Sequence, residues 1–471
     1  MVPATESAGA EHLNVRRCSR PRPAAARRPA HRCPRGLLAG AACAALLALA
    51  GCAGWSSDET MVVGPNPVLP APRTPWIPTV HIAPAVGWPD GGRPTAAPGL
   101  SVSAFASGLN HPRWLHVLPN GDVLVAETNA PPRPDDARGL RGWIMRKVMA
   151  NAGAGVASPN RIVLLRDADG DGVAETRHVF ADGLNSPFGM ALVGNDLYVA
   201  NTDAVLRFDY RSGATRVDGV GELLVKLPAG PLNHHWTKNL VASPDGSRLL
   251  VSVGSNSNVA ENGIAAEEGR AAIWQVDRRT GAHRPLASGL RNPNGMDWEP
   301  ETGALWTVVN ERDELGNELV PDYLTSVRDG GFYGWPYSYF GQHPDPRVAP
   351  QRPDLVATAL APDYALGAHV APLGLAFARS TSLPAPYRDG GAFIGEHGSW
   401  NRVPRSGYKV VFVPFSGGRP AGPPLDVLTG FVDGAGRARG RPVGVAIDRQ
   451  GTLLVADDVG GVVWRVQRTP P

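Results

Sequence analysis

The chain has 471 residues, 43% hydrophobic and 19% charged, with 56 glycines and 46 prolines. That Gly and Pro load excludes a helical bundle, and the composition excludes wholesale disorder. The formal net charge of +3 invites nucleic acid as a partner, but eight arginines against Glu6 and Glu11 give residues 1–51 a net +6, which leaves −3 for the rest and removes that reading.

Arg16 to Arg35 is basic, and Gly36 to Ala50 is a run of small and apolar residues, GLLAGAACAALLALA. The run is too short to span a bilayer comfortably and suits the apolar region of a secretory signal. Leu49-Ala50-Gly51-Cys52 follows at once. The arrangement resembles the bacterial lipoprotein signal, which implies cleavage before Cys52, acylation of its thiol, and export to the periplasm or cell envelope. A cleavable signal with an incidental Cys52 is the alternative. The other cysteines, Cys18, Cys33 and Cys43, lie within the signal, so a chain acylated at Cys52 has no thiol for a disulfide, a zinc site or a nucleophile. Residues 52–98 carry ten prolines between Pro65 and Pro98 and are expected to form an extended tether.

From residue 99 to 468 the chain repeats. Segments from Gly108, Gly183, Pro231, Gly289, Gly367 and Arg439 each read as a short apolar strand, a turn rich in Pro, Asp, Asn or Gly, and a second strand. This is hairpin grammar. Starts 48 to 78 residues apart suit blades with variable outer strands, so the expected fold is an all-β six-bladed β-propeller. A helical insertion over Leu140–Ala152 is expected in the first blade.

The copies align on Pro112, Pro187, Thr237, Pro293, Pro372 and Pro442. The two positions before these hold His235, Arg291, Asn292 and Arg441 among others, and pseudo-symmetry sets them on one ring. Residues after the second strands, such as Asn310-Glu311-Arg312-Asp313, Glu396-His397 and Asp457-Asp458, face the same end. Cations, carboxylates and imidazoles gathered there predict a pocket for an anionic ligand or cofactor.

NHHWTKNLVASPDGSRLLVSVGSNSN, GLRNPNGMDW, VVNERDELGNELVPDYLTSV, GGFYGWPYSYFGQ and GRPVGVAIDRQGTLLVADDVGGVVWRV are similar to segments of the pyrroloquinoline quinone (PQQ)-dependent sugar dehydrogenases, the soluble glucose and L-sorbosone group, with the sorbosone branch nearest. The resemblance implies oxidation of an aldose or sugar aldehyde by hydride transfer to PQQ, with His235 as the base. It implies Arg291 and Asn292 beside the quinone oxygens, and Arg439 and Arg441 on the cofactor carboxylates. Arg312 and Asp313 would offer backbone carbonyls to a calcium ion acting as a Lewis acid. The glucose enzymes have a lysine in the fifth blade where this chain has Gly398-Ser399-Trp400-Asn401-Arg402. Arg402 is the candidate substitute and Trp400 a candidate wall of the quinone or sugar site, and the departure puts glucose in doubt as substrate. Further implied partners are a periplasmic cytochrome or quinone pool as electron acceptor, and a membrane reached through the lipid anchor.

Asp167, Asp169 and Asp171, with Gly170, Gly172 and Glu175, make half of a calcium loop, although His178 stands at its twelfth position. An Asp- and Gly-rich turn explains the same residues. His234-His235 lies outside any HExxH pattern, and no GxGxxG, phosphate-loop or GxSxG motif occurs, which disfavours zinc, nucleotide cofactors and a serine hydrolase. Two other readings stay open: a calcium-dependent propeller lactonase, which needs carboxylates clustered on the axis, and a non-catalytic lipoprotein that binds glycans or proteins.

Overall fold

Each repeated hairpin becomes the inner half of an antiparallel blade in the computed structural model, which describes residues 62–73, 79–132 and 156–470. Blade 1 runs from Pro112–Val117 to Thr176–Ala181, and blade 2 from Met190–Val193 to Glu222–Lys226. Blade 3 runs from Leu240–Ala242 to His283–Ser288, and blade 4 from Asn292–Trp298 to Tyr364–Ala368. Blade 5 runs from Pro372–Phe377 to Leu425–Thr429. Blade 6 combines Pro442–Ile447, Leu453–Asp457 and Val462–Arg468 with Leu100–Ala106, which pairs in the register Leu100↔Arg468 and Val102↔Val466. Both ends of the repeat array thus share one sheet and close the ring. The fold is the expected all-β six-bladed propeller.

The core consists of layers between blades. Trp306, Val308 and Leu324 of blade 4 pack on Leu375, Ile394 and Val411 of blade 5, and Phe393 and Phe412 of blade 5 pack on Val455 and Trp464 of blade 6. A middle strand is therefore apolar on both faces, which is why Val123–Glu127, Gly391–Glu396 and Leu453–Asp457 are buried along their whole length. At the centre, innermost strands approach backbone to backbone. A Cβ on Gly295 would lie 2.6 Å from the Leu375 nitrogen, and one on Gly374 would run into the Val443 carbonyl. The recurring Pro-x-Gly is the sequence trace of that close approach.

The expected tether departs from the prediction. Val63–Gly64 adds to the outer edge of blade 4, Thr95–Ala96 adds to blade 5, and residues 79–88 cross between blades 5 and 6. Backbone hydrogen bonds to the blades make these stretches part of the propeller, not a free spacer. The signal, Cys52 and the Leu140–Ala152 helix lie outside the described residues.

Candidate active site

The innermost strands begin, and their hairpin partners end, at one face of the ring. A cavity of about 610 Å³ opens there, lined by His111, Arg113, Trp236, His397, Arg441 and Asp458 with residues of the adjoining loops.

His235 stands beside this cavity, where blade 3 breaks the repeat by replacing proline with Thr237. Its Nδ1 lies 2.9 Å from both the carbonyl and the Oγ of Ser255. The Ser255 hydroxyl proton is already donated to the Ser257 carbonyl at 2.6 Å, so both Ser255 atoms accept. Nδ1 must carry the proton, and the neutral ring presents a lone pair at Nε2. Burial, then the Arg291 charge, holds the imidazole well below its ordinary range, so the ring is neutral at physiological pH. A Cβ on Gly254 would meet His235 Cβ and Asn292 Oδ1, each at 2.5 Å. That glycine is what lets the two side chains stand together. Lys238, fully buried, donates to the His235 carbonyl at 3.1 Å and braces the base from below.

Arg291 is bound on several sides. It donates to the Glu311 carbonyl at 2.7 Å, to Asn258 Oδ1 at 2.9 Å and to Asp313 Oδ2 at 3.3 Å. Asp313 also receives Asn401 at 2.8 Å. Asn292 keeps a buried Oδ1 with no partner among the described residues.

Arg312 is fully buried. Its side chain pairs with Glu311 and Asp345 at 3.0 and 3.1 Å and donates to the Pro336 carbonyl at 2.9 Å and the Ser338 carbonyl. The GGFYGWPYSYFGQ segment thus supplies carbonyls that seat this arginine. Arg402, 1% exposed, gives one nitrogen to both oxygens of Glu318 at 2.9 and 3.0 Å, and its others to the Asn317 and Pro404 carbonyls. Its guanidinium is committed to the protein and lies outside the lining of the cavity described above. Trp400 is half-buried, and its carbonyl receives the His81 amide at 2.8 Å. Arg439 is half-buried and outside the lining of the cavity.

One cluster at the cavity floor did not emerge from sequence as a unit. Asp458 Oδ2 receives Arg113 Nη1 at 2.6 Å and His397 Nε2 at 2.9 Å, with His111 Nε2 at 4.0 Å. Burial would raise the Asp458 carboxyl, but the two imidazoles and Arg113 outweigh it and hold it far below the usual range. Burial pushes His397 down to about 4. His111 Nδ1 donates to the Thr128 carbonyl at 2.8 Å, repeating in blade 1 the device that orients His235 in blade 3. Arg113 hides in the unremarkable string HPRWLH, and only ring closure brings blade 1 against blade 6.

The TrAA12-like family model matches residues 149–323 and 356–469, more than half of the chain. The chain belongs to the TrAA12-like family. A PQQ-dependent pyranose dehydrogenase of Coprinopsis cinerea is 24% identical over 79% of this chain, which spans only 54% of that relative's length. Among solved structures, the calcium structure of a Trichoderma reesei family AA12 enzyme superposes with a TM-score of 0.65 at 21% identity, covering 84% of this chain and all of the other. The holo PQQ domain of the Coprinopsis pyranose dehydrogenase superposes at 0.63 and 22% identity, covering 82% of this chain and all of that domain. At these identities the structural likeness establishes the fold.

The residues of this TrAA12-like chain fit an anionic group such as PQQ. Arg441, 7% exposed, makes no ion pair among the described residues, and its buried Nε has no partner there. A buried guanidinium without a carboxylate calls for an anion. The Asp313 carbonyl, implied as a calcium ligand, receives Arg347 Nη1 at 2.9 Å and Asn258 Nδ2 at 3.4 Å. In the loop of blade 1, ligand atoms of Asp167, Asp169, Asp171 and Glu175 lie within 4.8 Å of one another. Asp167 also caps the amides of Gly170 and Gly172 at 2.7 and 2.9 Å, as a turn requires.

Proposed function

We propose that this protein oxidises a sugar at its hydroxyl-bearing anomeric or aldehydic carbon, using PQQ as the electron acceptor. The observation that carries the reading is the state of His235: Nδ1–H is spent on Ser255, which leaves the lone pair at Nε2, in a ring that stands with Asn292 across Gly254, feels the Arg291 charge and adjoins a cavity lined by an unneutralised Arg441. PQQ, when bound, supplies a two-electron acceptor for hydride. His235 takes the substrate hydroxyl proton at Nε2 as hydride leaves the same carbon, so the substrate loses one proton and two electrons with one hydride. Arg441 would hold a carboxylate of the cofactor, whereas Arg439 lies outside the lining of the cavity. Arg291 supplies a fixed positive charge where negative charge develops. Asp458 keeps Arg113 and His397 in place at the cavity floor. We also propose, from the signal at residues 1–51, that the protein is exported and held at a membrane through acylated Cys52, from where electrons pass to a cytochrome or the quinone pool.

The test is PQQ titration of the purified protein, followed by dye reduction across aldoses and sugar aldehydes. His235→Ala should keep PQQ affinity and lose roughly 10²–10⁴-fold in kcat. Absence of PQQ binding at micromolar concentration would overturn the reading, and unchanged kcat in the variant would remove His235 as the base.

A further inference from the structure

The Pro-rich stretch ahead of the first blade reaches the site itself. His81 donates its amide to the Trp400 carbonyl at 2.8 Å, and Val86 donates to Ala438 at 2.8 Å, so residues 81–86 bridge blades 5 and 6. Arg405 forks onto this strap, giving Nε to the His81 carbonyl and Nη2 to the Ile82 carbonyl, each at 3.1 Å. Between these anchors, the fully buried Ala83 turns its carbonyl to Arg441 Nη2 at 2.9 Å. Among the described residues it is the one acceptor that the Arg441 guanidinium has. Trp88 then donates its indole N–H at 2.7 Å to Asp457 Oδ2, while Asp457 Oδ1 receives the Arg441 amide at 2.8 Å. Side chain and backbone of Arg441 are therefore both seated through the strap.

We propose that residues 79–88 back the anion pocket and position Arg441 through the Ala83 carbonyl, so that docking of the strap and binding of an anion at Arg441 are coupled. The physical reason is charge balance. The Ala83 carbonyl, with the Tyr408 ring centroid 5.5 Å from Cζ, orients the guanidinium without neutralising it, so its charge stays available to a ligand in the cavity that Arg441 lines. A carboxylate at the same place would cancel the charge, and no partner at all would leave a long flexible side chain to be ordered by the ligand, at an entropic cost. Coupling is reciprocal: an anion that orders Arg441 tightens the strap, and a loosened strap weakens the anion. The identity of the anion as PQQ rests on the proposed function; the seating of Arg441 by the strap does not.

Two measurements test this. In the protein without added cofactor, hydrogen exchange at the His81 and Val86 amides is compared between the wild type and Arg441→Met. Faster exchange over residues 79–88 in the variant is expected, with blade 2 peptides unchanged. In the second, PQQ affinity is compared between the wild type and Arg405→Gln, whose side chain touches the strap and not the cavity. Affinity about tenfold weaker in R405Q is expected, together with slower exchange over 79–88 when PQQ saturates the wild type. Equal exchange in the first comparison, or equal affinity with an exchange rate insensitive to PQQ in the second, overturns the proposal. Should the wild type bind no PQQ, the sugar-dehydrogenase reading falls and the Arg441→Met exchange result alone decides the strap.

Discussion

Replacing Arg402 by methionine separates a structural guanidinium from a cofactor ligand. The arginine is 1% exposed and bonded to both oxygens of Glu318 and to two backbone carbonyls. Methionine keeps most of the buried stem but leaves the Glu318 carboxylate, 8% exposed, with its strongest partner gone. Breaking a buried pair from one side costs about 3–5 kcal/mol, because the remaining charge is stranded in low dielectric. For a propeller of about 370 residues about 1.3 °C of Tm accompanies each kcal/mol, so a fall of roughly 4–7 °C is expected. Adding Glu318→Leu removes the stranded charge and should recover most of that loss. Thermal unfolding and PQQ titration of the wild type, R402M and the double variant give the answer. The structural role predicts lowered Tm with PQQ affinity within about threefold of wild type. An unchanged Tm with affinity weakened more than tenfold would refute it and return Arg402 to the cofactor site.

Three other outcomes follow from the geometry. The acid limb of the kcat/KM profile should have its midpoint below 6.5, since burial and Arg291 lower the His235 pKa and the base works only when deprotonated; activity falls as pH drops through that value and is level above it. A midpoint above 6.5 would contradict the assignment. Asp458→Asn should release Arg113 and His397 and weaken PQQ affinity by roughly tenfold while His235-dependent pH behaviour stays in place; an unchanged affinity would dismiss the cluster as a floor of the site. Calcium added to the chelator-treated protein should raise Tm in the wild type and not in Asp169→Ala; the same response in both would leave the Asp167–Glu175 loop a hydrogen-bonded turn.

The propeller is legible in the sequence because hairpin pairing is local. Alternating strand and turn residues declare each blade, six copies set the blade number, and the ring of first-strand positions points to the face where His235, Arg291, Asn292 and Arg441 stand. Partner choice across the ring was not legible. Arg312, Arg402 and Arg441 look alike as arginines in polar loops, yet Glu311 and Asp345 neutralise the first, Glu318 the second, and a single carbonyl serves the third. Asp458 and Arg113 are 345 positions apart and meet only when blade 6 closes against blade 1. The proline-rich stretch carries no hydrophobic periodicity, so composition reads it as a spacer; its backbone finds hydrogen-bond partners only on blades already folded. Sequence therefore determined the fold and the face, through contacts within each repeat. Tertiary structure decided which charges on that face remain free for a ligand, because neutralisation depends on groups that ring closure brings together.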